Sequence, residues 1–321
     1  MLCLNDGNDG CYNTDKQICF SAYKEEDNKK VRWPYMECTD INIRDPFVLV
    51  FEGKYYLYGT RGETAFASEA FGFDVYISED LENWGGPFEV FHRPENFWSR
   101  NCYWAPEVYR YRDQFYMFAT FAGEGRYLGT CVLKADSPCG PFAMISDGFV
   151  TPEDWRCLDG TLYISQDEKT YMVFCRHGME ETYDGTVCAM ELTEDLRKAA
   201  GEPAELFRAS SAKPFVRKYR GTNYVTDGPF LIRTDDQKLH MLWSTYGENG
   251  YVQALAHSDN HEIDGIWKSD ETLLFDRDGG HGMIFRKPDG GYCLSLHYPN
   301  TFGSEHPLFI LLAYDGGFSL K

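Results

Sequence analysis

Apolar positions in this chain come in short runs rather than at helical spacing. Residues 47–51, 55–60, 73–78, 115–120, 161–165, 171–176, 230–233, 239–245 and 292–297 are rich in aromatic and β-branched side chains, and Gly, Asp, Asn or Pro breaks the chain between them. That grammar predicts strands joined by turns. Helical periodicity is scarce, and the segment around 192–200 is the main short exception. The expected fold class is all-β.

The runs repeat. In five segments a charged or ionisable residue opens an apolar strand, a polar turn follows, and a second, apolar strand returns. The openings are Asp45-Pro46-Phe47-Val48, Glu107-Val108-Tyr109, Asp159-Gly160-Thr161-Leu162, Asp227-Gly228-Pro229-Phe230 and His281-Gly282-Met283-Ile284. Their spacing of roughly 50–70 residues suits one four-stranded sheet with its loops. Five such units predict a five-bladed β-propeller, one domain over 1–321, with blades from about residue 41. Residues 1–40 then cap the ring or complete the last blade. The repeat places Asp45, Glu107, Asp159, Asp227 and His281 at matched positions near one end of a central funnel.

Composition narrows the partners. The net charge is −19, aromatic residues make up 16% of the chain, and no Lys/Arg cluster stands out. Nucleic acid and anionic membranes need the opposite charge. Aromatic side chains suit the flat faces of sugar rings. No apolar run reaches membrane-spanning length. No secretion signal is visible at the start, and the odd number of cysteines, eleven, forms no CxxC pairs. Free thiols and a cytoplasmic location are the expectation. Gly123-Glu124-Gly125-Arg126 lacks the setting of a phosphate loop, and no organic cofactor is expected.

Several carboxyls around one funnel raise each other's pKa. That is costly for a structural protein and useful to an enzyme. Glycoside hydrolysis needs such a set: one protonated carboxyl for the leaving oxygen and one ionised carboxyl for water. The motifs Arg44-Asp45-Pro46-Phe47, Trp104-Ala105-Pro106-Glu107, Leu158-Asp159-Gly160-Thr161, Thr226-Asp227-Gly228-Pro229-Phe230 and Gly280-His281-Gly282-Met283, in this order, resemble glycoside hydrolase family 43. The resemblance runs from about residue 43 to 312. The related invertase-type propellers share Arg-Asp-Pro, but their other motifs are absent.

The resemblance implies hydrolysis with inversion. Asp45 takes the role of general base, Asp159 that of orienter and pKa modulator, and Asp227 that of general acid. Most of the family carries Glu at the acid position, and Asp is shorter by roughly 1.5 Å. Glu107 is therefore an alternative acid as well as a substrate-site candidate. Trp104 is expected to wall the sugar pocket beside Cys102 and Tyr103, with Phe66 nearby. Arg44, the pair Arg176-His177 and His297 are expected to reach substrate hydroxyls. His281 is expected to hold a hydrated calcium ion near the axis or to hydrogen-bond beneath the carboxylates. The expected substrate is an oligosaccharide bearing terminal α-L-arabinofuranosyl residues. β-D-xylosyl residues are the alternative, and a propeller that binds sugar without cleaving it is the rival from another class. A phosphorolytic enzyme is a thinner rival, resting on Arg44, Arg176 and His281.

Overall fold

The computed structural model describes residues 35–123 and 125–321. Blade 1 is β1 (Ile43–Phe51), β2 (Lys54–Arg61), β3 (Gly72–Ser78) and β4 (Gly85–His92). Blade 2 is β5 (Ser99–Tyr111), β6 (Gln114–Gly123), β7 (Leu128–Ala135) and β8 (Ala143–Met144). Blade 3 is β9 (Arg156–Ile164), β10 (Thr170–His177), β11 (Thr186–Glu191) and β12 (Ala204–Arg208). Blade 4 is β13 (Asp227–Arg233), β14 (Leu239–Gly247), β15 (Gly250–Ser258) and β16 (Trp267–Ser269). Blade 5 is β17 (Gly280–Arg286), β18 (Tyr292–Tyr298), β19 (His306–Tyr314) and β20 (Phe318–Leu320). Each blade is an antiparallel meander in chain order, and the five form a β-propeller. The predicted runs all fall on strands, within one residue at their ends.

The segment at 192–200 is not helical. Leu192 and Ala199 form an antiparallel bridge, and Thr193 and Asp195 close the turn between them. The Asp195 carboxylate accepts the Arg197 N–H, and the Thr193 hydroxyl accepts the Lys198 N–H. Such side chains compete with the helix for backbone donors.

Apolar faces of neighbouring blades pack against each other. At the centre, Phe47 meets the rings of Tyr109 at 5.0 Å and Phe230 at 6.2 Å, edge to face. Between blades 5 and 1, the fully buried Trp84 stacks on Phe309 at 5.5 Å. Burying a large apolar side chain of this kind contributes roughly 1.5–3 kcal/mol. Residues 35–41 cross the same junction. Met36 bridges to Trp84, and the turn Cys38–Asp40 lies against β19. Among the described residues no N-terminal strand joins blade 5. The expected cap at 1–40 otherwise lies outside the described residues. No helix among the described residues is long and apolar enough to cross a membrane.

The inner strands share one irregularity, and it builds the funnel. In each, two residues face a single residue of the partner strand: 45–46, 105–106, 159–160, 228–229 and 281–282. Each pair is a β-bulge, which bends the strand and re-aims its side chains. The first residue has left-handed φ in every blade: Asp45 55°, Ala105 45°, Asp159 57°, Gly228 51° and His281 50°. The second is Pro46, Pro106, Gly160, Pro229 or Gly282. Proline needs no ladder partner. The two glycines keep an N–H, and Thr130 Oγ1 and Gln253 Oε1 accept it at 3.1 and 2.7 Å.

Candidate active site

The bulges sort the inner strands into three tiers. The tier nearest the mouth is Arg44, Trp104, Leu158, Asp227 and Gly280, which pair with Thr60, Thr120, Cys175, Ser244 and His297 of the second strands. The middle tier is the bulge residues Asp45, Ala105, Asp159, Gly228 and His281. The floor is Phe47, Glu107, Thr161, Phe230 and Met283. This corrects the matching read from the sequence. Asp45, Asp159 and His281 are equivalent, but Asp227 stands one residue above them and Glu107 two below. Matching the blades by their ionisable residue misses the offset, because the residue that carries the charge stands before the bulge in blade 4 and after it in blade 2.

Asp45 is buried and held on every side. Thr60 Oγ1 donates to its Oδ2 at 2.6 Å, His281 Nδ1 lies 3.1 Å from its Oδ1, and its own N–H goes to His297 Nδ1 at 3.2 Å. Burial pushes its pKa up, but His281, Arg44, His297 and Thr60 outweigh that and hold it below the usual carboxylate range. Asp159 Oδ2 accepts the N–H of Gly228 at 3.1 Å and lies 3.9 Å from His281 Nδ1. Burial, with the neighbouring Asp227 and Asp45 and against the pull of His281, raises it to about 6. Asp227 takes the O–H of Tyr251 on Oδ2 at 3.0 Å, and His177 Nε2 stands 3.5 Å from Oδ1. Burial is again opposed, first by His177 and then by His281 and Tyr251, and the net direction is down.

His281 sits among these carboxyls. Burial disfavours its charge, but Asp45, Asp159, Asp227 and Glu107 outweigh burial and raise its pKa. Its ring lies so close to Gly228 that a Cβ there would fall 2.5 Å from Cδ2. The imidazole is what requires glycine at 228, since the other four blades hold the same positive φ with a side chain in place. His281 Nε2 is buried and has no hydrogen-bond partner among the protein's atoms. A water-mediated hold on a cation fits that orphan nitrogen. Calcium asks for six to eight oxygens, and among the described residues no group of three His, Cys, Asp or Glu is set to bind a metal directly.

Glu107 is a floor residue. Its Oε2 accepts the Tyr109 hydroxyl, and burial pushes its pKa to about 8 against hydrogen bonds from Tyr109 and Thr161. It occupies a level where other blades place Phe, Thr or Met, so its carboxyl is tied beneath the site. That placement argues against Glu107 as the substitute acid.

Three further candidates line the opening. Trp104 donates its indole N–H to Ala65 O at 2.5 Å, and its ring meets Phe66 at 6.1 Å. Phe66 in turn meets Phe302 at 5.8 Å, and both are about 60% exposed. Arg44 lies against Phe66, donating to Glu305 Oε1 at 2.6 Å and to Asn300 Oδ1 at 2.9 Å. Tyr103 is buried in aromatic packing behind this wall.

Two residues expected at substrate are elsewhere. Arg176 is exposed, with its guanidinium 3.7 Å from the centroid of Trp155, because alternation along β10 turns it away from the face that carries Cys175 and His177. His297 is fully buried beneath Asp45, and burial and Arg44 push its pKa to about 3. It is a neutral acceptor for the Asp45 N–H, and its Nε2–H faces Asn300 Oδ1 at 3.2 Å.

The sequence reading missed His177 as the neighbour of Asp227, and it missed Tyr251, Thr60, Asn300 and Glu305. All reach the site from another blade or another strand. A second-strand Thr or Ser opposite the residue before each bulge was the available signal for Thr60, Thr120 and Ser244. Cys38, Cys102, Cys131, Cys157, Cys175, Cys188 and Cys293 are free thiols.

Comparison with known proteins agrees with this architecture. The family model for glycosyl hydrolases family 43 matches residues 39–309. A solved structure described as an endo-arabinase from Bacteroides thetaiotaomicron VPI-5482 is 36% identical, with TM-score 0.80, over 88% of this chain and 98% of that one. An endo-1,4-beta-xylanase from the same organism is 24% identical, with TM-score 0.73, over 90% and 97%. An alpha-L-arabinofuranosidase from Lactobacillus brevis is 14% identical, with TM-score 0.69, over 89% and 97%. The latter two speak for the fold alone. No curated protein sequence matches the chain. With a family match from blade 1 into blade 5 and a funnel lined with carboxyls, this chain belongs to glycosyl hydrolase family 43 and is a glycoside hydrolase.

Proposed function

We propose that the protein hydrolyses α-L-arabinofuranosyl linkages with inversion at the anomeric carbon. The observation that carries the reading is the offset of Asp227, one tier nearer the mouth than Asp45 and Asp159. Two carboxyls at different heights can address opposite sides of one glycosidic bond. The likeness to a solved arabinase at 36% identity favours the arabinosyl sugar over the xylosyl one.

Asp45, ionised and fixed by Thr60, takes a proton from water as the water oxygen bonds to the anomeric carbon. Asp227 gives its proton to the departing oxygen as the glycosidic bond breaks. In the free site Asp159 is the raised carboxyl and Asp227 the lowered one. A proton taken up by the free site below about pH 6 therefore rests on Asp159. A leaving oxygen over Asp227 displaces water and favours its neutral form, and the charge then rests on Asp159. Trp104 and Phe66 supply apolar faces for sugar carbons. A hydrated calcium ion, held through water by His281 Nε2, supplies fixed positive charge beside the carboxyls when bound.

The test is hydrolysis of aryl α-L-arabinofuranosides and of linear arabinan, followed by proton NMR. The expected first product is the β-anomer. Release of the α-anomer overturns inversion, and cleavage of β-D-xylosides alone overturns the sugar assignment. If no glycoside is cleaved while a sugar raises the melting temperature, the protein binds without catalysis. Product sizes from linear arabinan separate terminal from internal cleavage.

A further inference from the structure

The blade junctions are not built alike, and the odd one lies beside Asp227. At four junctions a second-strand side chain accepts the N–H of the next blade's bulge residue. Thr60 serves Ala105 at 2.7 Å, Thr120 serves Asp159 at 2.8 Å, Ser244 serves His281 at 2.7 Å, and His297 serves Asp45 at 3.2 Å. Between blades 3 and 4 the matching residue is Cys175, and the Gly228 N–H goes to the Asp159 carboxylate instead.

Two residues nearer the mouth, on the same face of β10, stands His177. It is buried, and its Nε2 lies 2.9 Å from Thr226 O and 3.5 Å from Asp227 Oδ1. A carbonyl oxygen only accepts, so Nε2 carries the hydrogen, shared between the carbonyl and the carboxylate. Tyr183 stacks on the imidazole at 5.0 Å with its hydroxyl 3.4 Å from Nδ1. Tyr183 is fixed in turn, its N–H on Asn223 Oδ1 and its carbonyl accepting the Tyr224 N–H, each at 3.0 Å. The imidazole therefore cannot swing away. Tyr251 grips the other oxygen of Asp227.

We propose that His177, seated by Tyr183, is a positioning residue for Asp227, holding Oδ1 while Tyr251 holds Oδ2, so that the short carboxyl keeps its aim at the leaving-group oxygen. A protonated carboxyl retains acceptor capacity on both oxygens, so both grips survive when the proton points at substrate. The proposal rests on the reading of Asp227 as acid.

The experiment compares wild type, H177F, H177Q, D227A and the double variant H177F/D227A. Each is assayed on aryl glycosides of the sugar that wild type cleaves, with leaving groups from poor to very good. H177F is expected to lose about 10–100-fold in kcat/KM on the poorest leaving group, the size of a charge-assisted hydrogen bond, and no more than about 3-fold on the best. H177Q, whose amide can donate from the same place, recovers most of the loss. H177F adds nothing in the D227A background, because the histidine acts through the carboxyl. An equal loss on all leaving groups, no loss at all, or full additivity in the double variant overturns the proposal. Should H177F not fold, H177Q and Y183F carry the test: H177Q must stay near wild type, and Y183F must show a smaller loss of the same leaving-group dependence. If D227A itself loses activity equally on every leaving group, the acid assignment fails, and the two failures are told apart.

Discussion

Around Asp45 the holding groups belong to the ring: Thr60 of its own blade, and His297 and His281 of blade 5. Around Asp227 they come from nearer the mouth: His177 at the end of β10 in blade 3 and Tyr251 on the third strand of blade 4. The two aspartates are the same side chain, Asp45 buried and Asp227 partly so, and both are held below the usual carboxylate range. What differs is the backbone beneath them. Asp45 is a bulge residue with left-handed φ, a conformation that carries strain of order 1–2 kcal/mol for most side chains and that the capped N–H helps to hold. Asp227 precedes its bulge, and Gly228 takes the left-handed position. Asp45, the proposed base, is thus fixed through its main chain as well as its side chain, and Asp227, the proposed acid, through its side chain. A base that must meet a water gains from rigidity. An acid that must follow a departing oxygen is better held by groups that grip its tip.

The sharpest break of this comparison is Asp45→Asn. Hydrolysis should fall by about 10³-fold or more, the upper range for a base, with a melting temperature close to wild type. Residual turnover near wild type removes Asp45 as base. Asp227→Ala should cost about 10²–10⁴-fold on poor leaving groups and far less on activated ones, read as kcat/KM across an aryl series. Thr60→Val comes next, because it strips one donor from Asp45 and leaves the Ala105 N–H without its acceptor. A loss of about 1–3 kcal/mol is expected in urea unfolding, with kcat falling more than KM rises. No loss of stability shows that the cap is replaceable by water.

Smaller effects sharpen the floor of the site. Glu107 has a folded pKa near 8, well above its unfolded value. The folded protein therefore binds the extra proton between about pH 4.5 and 8, and stability falls as pH rises through that window. Glu107→Gln removes the dependence. Its melting temperature should match wild type at pH 5 and exceed it increasingly up to pH 8, as differential scanning calorimetry reads. A constant difference across pH removes the neutral-carboxyl assignment. The smallest effect is chelation: thorough treatment with EDTA should lower the melting temperature of wild type and leave that of His281→Ala unchanged.

Much of this was legible in one sequence. Strands, blade number and the gathering of Asp45, Asp159, Asp227 and His281 follow from period and motif order. The tiers were not legible, since matching the blades by their ionisable residue hides that Asp227 stands before the shared bulge and Glu107 after it. Arg176 and His177 show the limit on β10. A strand's two faces differ by one residue, and nothing in the sequence says which face meets Asp227. Glu305 and Asn300 reach Arg44 from the far end of the chain, so no local signal marks them.

The seam between blades 5 and 1 has a consequence for how the protein dies. The chain runs through the other four junctions, whereas among the described residues this one is joined by residues 35–41 and by side chains. It is also where the proposed base is held: Asp45 N–H on His297, Arg44 on Glu305, and Ser295 Oγ on Pro46 O at 3.0 Å. A ring under heat or denaturant opens first where nothing covalent holds it. The activity of this protein should therefore vanish in a sub-global opening while four blades still show native β circular dichroism, and it should return on cooling faster than the whole chain can refold.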